Sequence, residues 1–177
     1  MPPRNDLAAA LLPVWETTNR VTVYLIERLP RACWTAPLPG APRRTIRMLA
    51  AHLHNQRCGW VNTLGGPHGI AAPRRVDKFR VTQKQLVAAL GRSGAAMGRL
   101  LAFGCTTGGA IPPTRKYVWR NLPLDVGHVL AYFVAHEAHH RGQILMLARQ
   151  MGMTLPEETA GGVWNWTRRG KEVRRGR

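Results

Sequence analysis

Acid is scarce in this chain. Nine Asp and Glu stand against 26 Lys and Arg, and the formal charge is +17 over 177 residues. A strongly basic chain attracts phosphate backbones, because bound Lys and Arg release condensed counterions. Arginine supplies 22 of the 26 basic residues, so an arginine-biased composition is a competing explanation. The charges gather in three groups: Arg43, Arg44 and Arg47; Arg74, Arg75, Lys78 and Arg80; and a tail of Arg168, Arg169, Lys171, Arg174, Arg175 and Arg177. Only the tail, about 168–177, reads as a basic, flexible arm. The chain lacks a helix-turn-helix, zinc-finger or RNA-recognition signature, so nucleic-acid binding stands only as an alternative function.

Cysteine is equally sparse. Cys33, Cys58 and Cys105 are odd in number and widely spaced, and no C-x-x-C pair occurs. These features exclude a disulfide framework and leave three reduced thiols. No apolar run approaches the roughly 18 residues of a membrane-spanning helix, and no membrane role is expected. The stretch Leu7 to Val14 follows Asp6 and contains Pro13, unlike a secretory signal. A cytoplasmic protein is expected. Strand-like alternation is also missing. Apolar residues make up 45% of the chain, enough for a sizeable core in one domain spanning 1–177.

Four segments carry helical spacing. The first runs from about Asp6, with Asn5 or Asp6 as cap, to Leu29, with Leu7, Leu11, Val14, Val21, Leu25 and Leu29 as a rough stripe; Pro13 kinks it or marks a later start, and Pro30 ends it. After a proline-rich connection holding Pro39-Gly40, a second helix starts at the cap Thr45 and runs to Leu64, where Gly65-Gly66-Pro67 breaks it. Thr82 and Gln85 form a capping box for a third, which carries Leu86, Leu90, Met97 and Leu101 and is weakened by Gly91, Gly94 and Gly98. Asp125 caps a fourth, which reaches Met151 before Gly152. The spacing predicts an all-α four-helix bundle with long connections. A C-terminal tail follows, in which Trp164 and Trp166 pack back on the bundle.

Five of the seven histidines fall in two helical clusters. His136 and His140 are four residues apart, so their imidazoles share one helix face, the spacing that lets two side chains chelate one ion. Tyr132, Gln143 and Leu147 share that face. His139 points to the other side of His136; if it were a ligand with His136, His140 would turn away. On the second helix His52 flanks the apolar stripe, whereas His54, with Arg47 and Arg57, is expected on the polar side. Polar groups on an inward stripe must bond one another or an ion. The pattern therefore fits either a metal site or a satisfied polar core. His136-Glu137-Ala138-His139-His140 also fits the H-E-x-x-H helix of zinc proteases, with Glu137 as base and Glu158 as a downstream ligand. The elongated form of that motif fails at Ile144 and Met146.

The run Ala135-His136-Glu137-Ala138-His139-His140-Arg141-Gly142-Gln143-Ile144 closely resembles the H-E-x-H-H-R-G-Q helix of the DinB-like (DinB/YfiT) superfamily. Met48-Leu49-Ala50-Ala51-His52-Leu53, followed by Trp60, is similar to its second-helix histidine motif, and Leu155-Pro156 after Gly152 to the end of its last helix. The resemblance implies a four-helix bundle that holds one divalent metal ion, often nickel, zinc or iron, on His52, His136 and His140. His139 and Glu137 would then support the site or the fold. It also implies a frequent homodimer, and in some members transfer or isomerisation with a low-molecular-weight thiol. Three imidazoles leave an open coordination position, as in catalytic rather than structural sites. A metal-dependent hydrolase or thiol transferase acting on a small molecule is thus expected, with Gln143 and Tyr132 orienting substrate or water. The alternative is a non-enzymatic, metal-stabilised binding protein whose basic surface meets nucleic acid.

Overall fold

The computed structural model describes residues 7–175. The expected caps Asn5 and Asp6, and Arg177 of the tail, lie outside the described residues. Helix α1 (Leu7–Arg28) continues through Pro13. A short α2 (Arg31–Thr35) follows Pro30. Helix α3 (Ile46–Trp60) starts at Thr45, whose side chain accepts from the Met48 amide. It passes into a π-helical turn, Val61–Gly65, and a 3-10 turn, Gly66–His68. Helix α4 (Gln83–Thr106) opens with the reciprocal Thr82–Gln85 capping box. Helix α5 (Val126–Gln150) is capped by the Asp125 carboxylate on the His128 amide. Past its end Gly152 takes φ +71°, the left-handed conformation that stops a helix with little strain in glycine.

Helices α1, α3, α4 and α5 make the expected bundle. α1 lies along α4 and also touches α5, while α3 packs on both α4 and α5. The core divides into two clusters. One joins Leu25, Ile26, Ile46, Leu53, Leu86, Leu90 and Ile144, and the other joins Trp15, Trp60, Leu64, Met97, Leu101, Val129 and Phe133. Helix α4 is long and apolar enough to span a membrane by length and composition alone, but half of its apolar window is buried in the molecule. The core helix of a bundle meets the same criterion.

Three features differ from the expected bundle. First, the proline-rich connection forms a small antiparallel hairpin, β1 (Pro37–Leu38) and β2 (Ala41–Thr45). Pro39-Gly40 turns the chain with Gly40 at φ +68°, a geometry open to a Pro-Gly pair whatever the alternation of the flanking residues. Second, the basic tail is helical rather than a loose arm. α6 (Glu157–Gly162) and α7 (Trp166–Arg175) follow the bundle, and α7 lies on α1. Arg169 is 1% exposed, with its guanidinium 3.8 Å from the Tyr24 ring centroid, and Glu172 bonds Arg20 at 2.7 Å. The chain's scarce acid thus anchors its tail. Third, of the two tail indoles only Trp166 packs on the core, while Trp164 is 81% exposed.

Candidate metal centre

α3 and α5 run side by side, and their facing sides bring three imidazoles together. Ring centroids of His52 lie 5.5 Å from His136 and 4.9 Å from His140, and those of His136 and His140 lie 4.6 Å apart. One nitrogen of each ring falls within 4.8 Å of the other two. Metal–imidazole bonds of roughly 2 Å hold the nitrogens of three ligands about 3.5 Å apart around a tetrahedral ion, so the set closes on a metal with side-chain movements of about 1 Å. The His140 Nδ1 sits 2.7 Å from the Gln143 Oε1. With the amide oxygen as acceptor, the proton is on Nδ1 and Nε2 is free for an ion, the usual outer partner of a ligating histidine.

The site favours neutral rings, the form that binds metal. Burial first and then the neighbouring His140 push His136 down to about 4; Glu137 opposes them, and His52 and His139 add smaller effects in the lowering direction. Burial, the His140 ring and the Lys78 charge lower His52. Burial lowers His140 although Gln143 opposes it. All three histidines are half-buried. Tyr132 lies nearly parallel to His136, with centroids 6.0 Å apart and planes at 18°. Tyr132 and Gln143 thus both border the triad.

His139 is exposed and stands outside the triad, although its ring is 5.0 Å from His140. His54 corrects the helical-wheel reading. It is fully buried, with Nδ1 3.0 Å from Ser93 Oγ, Nε2 3.1 Å from the Arg74 carbonyl and Cys58 Sγ 3.4 Å away. The reason is tertiary: the Arg-rich loop after α3 folds back over that face, strapped by paired bonds between the Asn55 amide and the Val76 backbone. Both faces of α3 are therefore covered, and His52 and His54 both turn inward to different partners.

Arg57 was likewise expected on the polar side and is 0% exposed. It meets Glu137 through Nε at 2.9 Å and Nη2 at 2.8 Å, and it donates to Asn19 at 2.7 Å. Thr22 donates to Glu137 at 2.6 Å and accepts from Arg141 at 2.9 Å. Burial works against the Glu137 charge, but the Arg57 and Arg141 charges and the bonds from Arg57 and Thr22 hold the carboxyl below the usual range. Glu137 is thus engaged inside the bundle and cannot serve as the base of an H-E-x-x-H site. Glu158 is exposed on α6, its carbonyl accepting from Tyr24 at 3.1 Å. The protease reading fails on both residues. No spacing signal in the sequence marks this network, because Thr22, Arg57 and Glu137 come from three different helices.

The model of the DinB family matches residues 112–172. The match supports assigning the chain to the DinB-like superfamily. No curated protein and no solved structure matches it. The matched span holds α5 with His136, His140 and Gln143, while His52 lies outside it on α3. The third donor therefore rests on tertiary geometry. The donor set fits a divalent ion: three neutral imidazoles, one already oriented by an amide.

Proposed function

We propose that the chain is a divalent-metal-dependent enzyme acting on a small molecule, as a hydrolase or a thiol-dependent transferase. One observation carries this reading: His52, His136 and His140 from two helices bring their ligand atoms within 4.8 Å of one another. Three imidazoles suit nickel, zinc or iron and leave a coordination position for substrate or water, whereas a closed structural zinc site takes four protein ligands. When bound, such an ion supplies Lewis acidity that generates a nucleophile at neutral pH.

The chain's own residues then bind and orient. Gln143 holds the proton on His140 Nδ1 and fixes the ring's roll. Tyr132 places a phenol beside His136, where it orients a substrate or water. The Lys78 charge, which acts on His52, draws an anion toward the site. A low-molecular-weight thiol as co-substrate and a homodimer as the working form belong to the same proposal.

Elemental analysis of untagged protein tests it. One equivalent of divalent metal is expected, lost on His52→Ala, His136→Ala or His140→Ala and kept on His54→Ala. Protein that stays metal-free after exposure to nickel, zinc and iron overturns the reading. Loaded protein assayed with a chromogenic ester, and separately with an electrophile plus thiol, distinguishes hydrolysis from transfer.

A further inference from the structure

A recess of about 800 Å³ opens where the end of α1, the short α2 and the starts of α3 and α4 meet. Its floor is apolar and fixed. Leu29, Trp34 and Val81 line it and are almost wholly buried. The Trp34 indole N–H donates to the Val81 carbonyl at 3.2 Å. The Gln83 side-chain amide donates to the Ile26 and Leu29 carbonyls, which ties the start of α4 to the end of α1. None of the three histidines of the triad lines this recess.

Four cations from four segments line the same recess: Arg31 of α2, Arg47 of α3, Arg80 of the loop before α4 and Lys84 of α4. The one carboxylate among the lining residues is Glu27, and it is already engaged by Arg20 at 2.9 Å and Arg28 at 3.7 Å, neither of which lines the recess. Arg31, Arg47 and Lys84 meet no acid among the described residues, and Arg80 reaches Asp77 only at 3.9 Å. The Arg47 Nε is shut off from water and has no hydrogen-bond partner. Like charges around one concave wall repel one another and focus a positive field into it, and the start of the 24-residue α4 adds partial positive charge. A buried donor without an acceptor is costly as well. An anion in the recess relieves both.

We propose that this recess is a second binding site, which takes a small organic diphosphate. The diphosphate lies among Arg31, Arg47, Arg80 and Lys84, and the organic part covers the floor of Leu29, Trp34 and Val81. Charge selects the head. A single phosphate ester carries about 1.5–2 negative charges and leaves two of the four cations unmatched, whereas a second phosphate offsets most of the rest. Size selects the body. Pockets of about 300–1,000 Å³ hold whole drug-sized ligands, so the phosphates alone leave much of this one empty and its apolar floor wet. The site is independent of the metal-dependent reading above and stands or falls apart from it.

Calorimetric titration of full-length, metal-free protein tests it, with ADP, inorganic pyrophosphate, orthophosphate and adenosine as probes. ADP is expected to bind tightest and pyrophosphate next, with orthophosphate and adenosine each weaker than ADP by about tenfold or more. Arg47→Ala and Lys84→Ala are each expected to weaken ADP by about tenfold. Lys84 is exposed, so its variant keeps the test open should Arg47→Ala unfold. Arg99→Ala removes the same charge from α4 outside the recess, and it and His136→Ala are expected to leave ADP binding unchanged. Adenosine binding as well as ADP, or no binding of ADP and pyrophosphate at millimolar concentration, overturns the site. An equal loss on Arg99→Ala overturns it in favour of general attraction to a basic chain. A single-stranded oligonucleotide whose affinity keeps rising with length beyond a dinucleotide overturns it in favour of nucleic acid.

Discussion

Arg57 and Glu137 form a two-point ion pair, 2.9 and 2.8 Å long, with side chains 1% and 0% exposed. The pair joins α3 to α5, the two helices that carry the triad, and each partner lies on a different flank of its helix from the histidines. The position of His52 relative to His136 and His140 therefore depends on a lock that takes no part in binding the ion.

Removing Arg57 leaves the buried Glu137 carboxylate with only the Thr22 hydrogen bond and the Arg141 charge. Arg57→Met is expected to cost about 3–5 kcal/mol of folding stability, measured by urea unfolding of the apo protein. Metal affinity is expected to fall with it. An unchanged midpoint would mean that Thr22 and Arg141 suffice for Glu137, and the lock would have to be abandoned.

Gln143 touches the site through His140 alone among the bonds seen. Gln143→Leu keeps the volume and removes the acceptor for Nδ1–H. Metal affinity is expected to drop about 10–100-fold with little change in apo stability, measured by competition with a chromogenic chelator.

His54 gives the opposite pattern. His54→Ala removes the buried ring that bonds Ser93 Oγ and the Arg74 carbonyl and is expected to cost about 1–3 kcal/mol. Metal stoichiometry is expected to stay at one. Loss of metal without loss of stability would place His54, not its neighbour two residues earlier, in the site.

The docking of α7 is expected to depend on acid. Burial opposes the Glu172 charge, but hydrogen bonding and charge from Arg20, with Arg169 and Arg168, more than offset it and hold the carboxyl below its ordinary value of 4.5. A carboxyl depressed in the folded state contributes stability that is complete above its unfolded value and lost as pH falls through the folded one. Amide protection of α7 in wild type is thus expected to weaken below about pH 4.5. Glu172→Gln is expected to show weaker protection already at neutral pH, with the gap to wild type shrinking in acid. Hydrogen exchange across that range reads both.

Two glycines of α4 separate helix propensity from packing. A Cβ at Gly91 would meet nothing within 4 Å, whereas one at Gly104 would lie 2.5 Å from Val126 and 2.8 Å from Ile111. Gly91→Ala is expected to stabilise by about 0.5–1 kcal/mol. Gly104→Ala is expected to destabilise by about 1–3 kcal/mol by overpacking the junction of α4, α5 and the loop between them. Thermal unfolding with opposite shifts confirms the pair.

The four long helices, their caps at Thr45, Thr82 and Asp125 and the stop at Gly152 were legible in the sequence, because caps and stripes are short-range and follow from the helical repeat. The i, i+4 pair His136 and His140 was legible for the same reason. Spacing alone could not place His54, Arg57 or Arg169. A helical wheel assigns one dry face, yet α3 is covered on a second side by the loop through Arg74 and Val76, and α7 buries an arginine that composition assigns to solvent. What covers each face depends on residues tens of positions away in the chain. Only the packed structure could decide that His52 joins the α5 pair and that Glu137 is taken by Arg57.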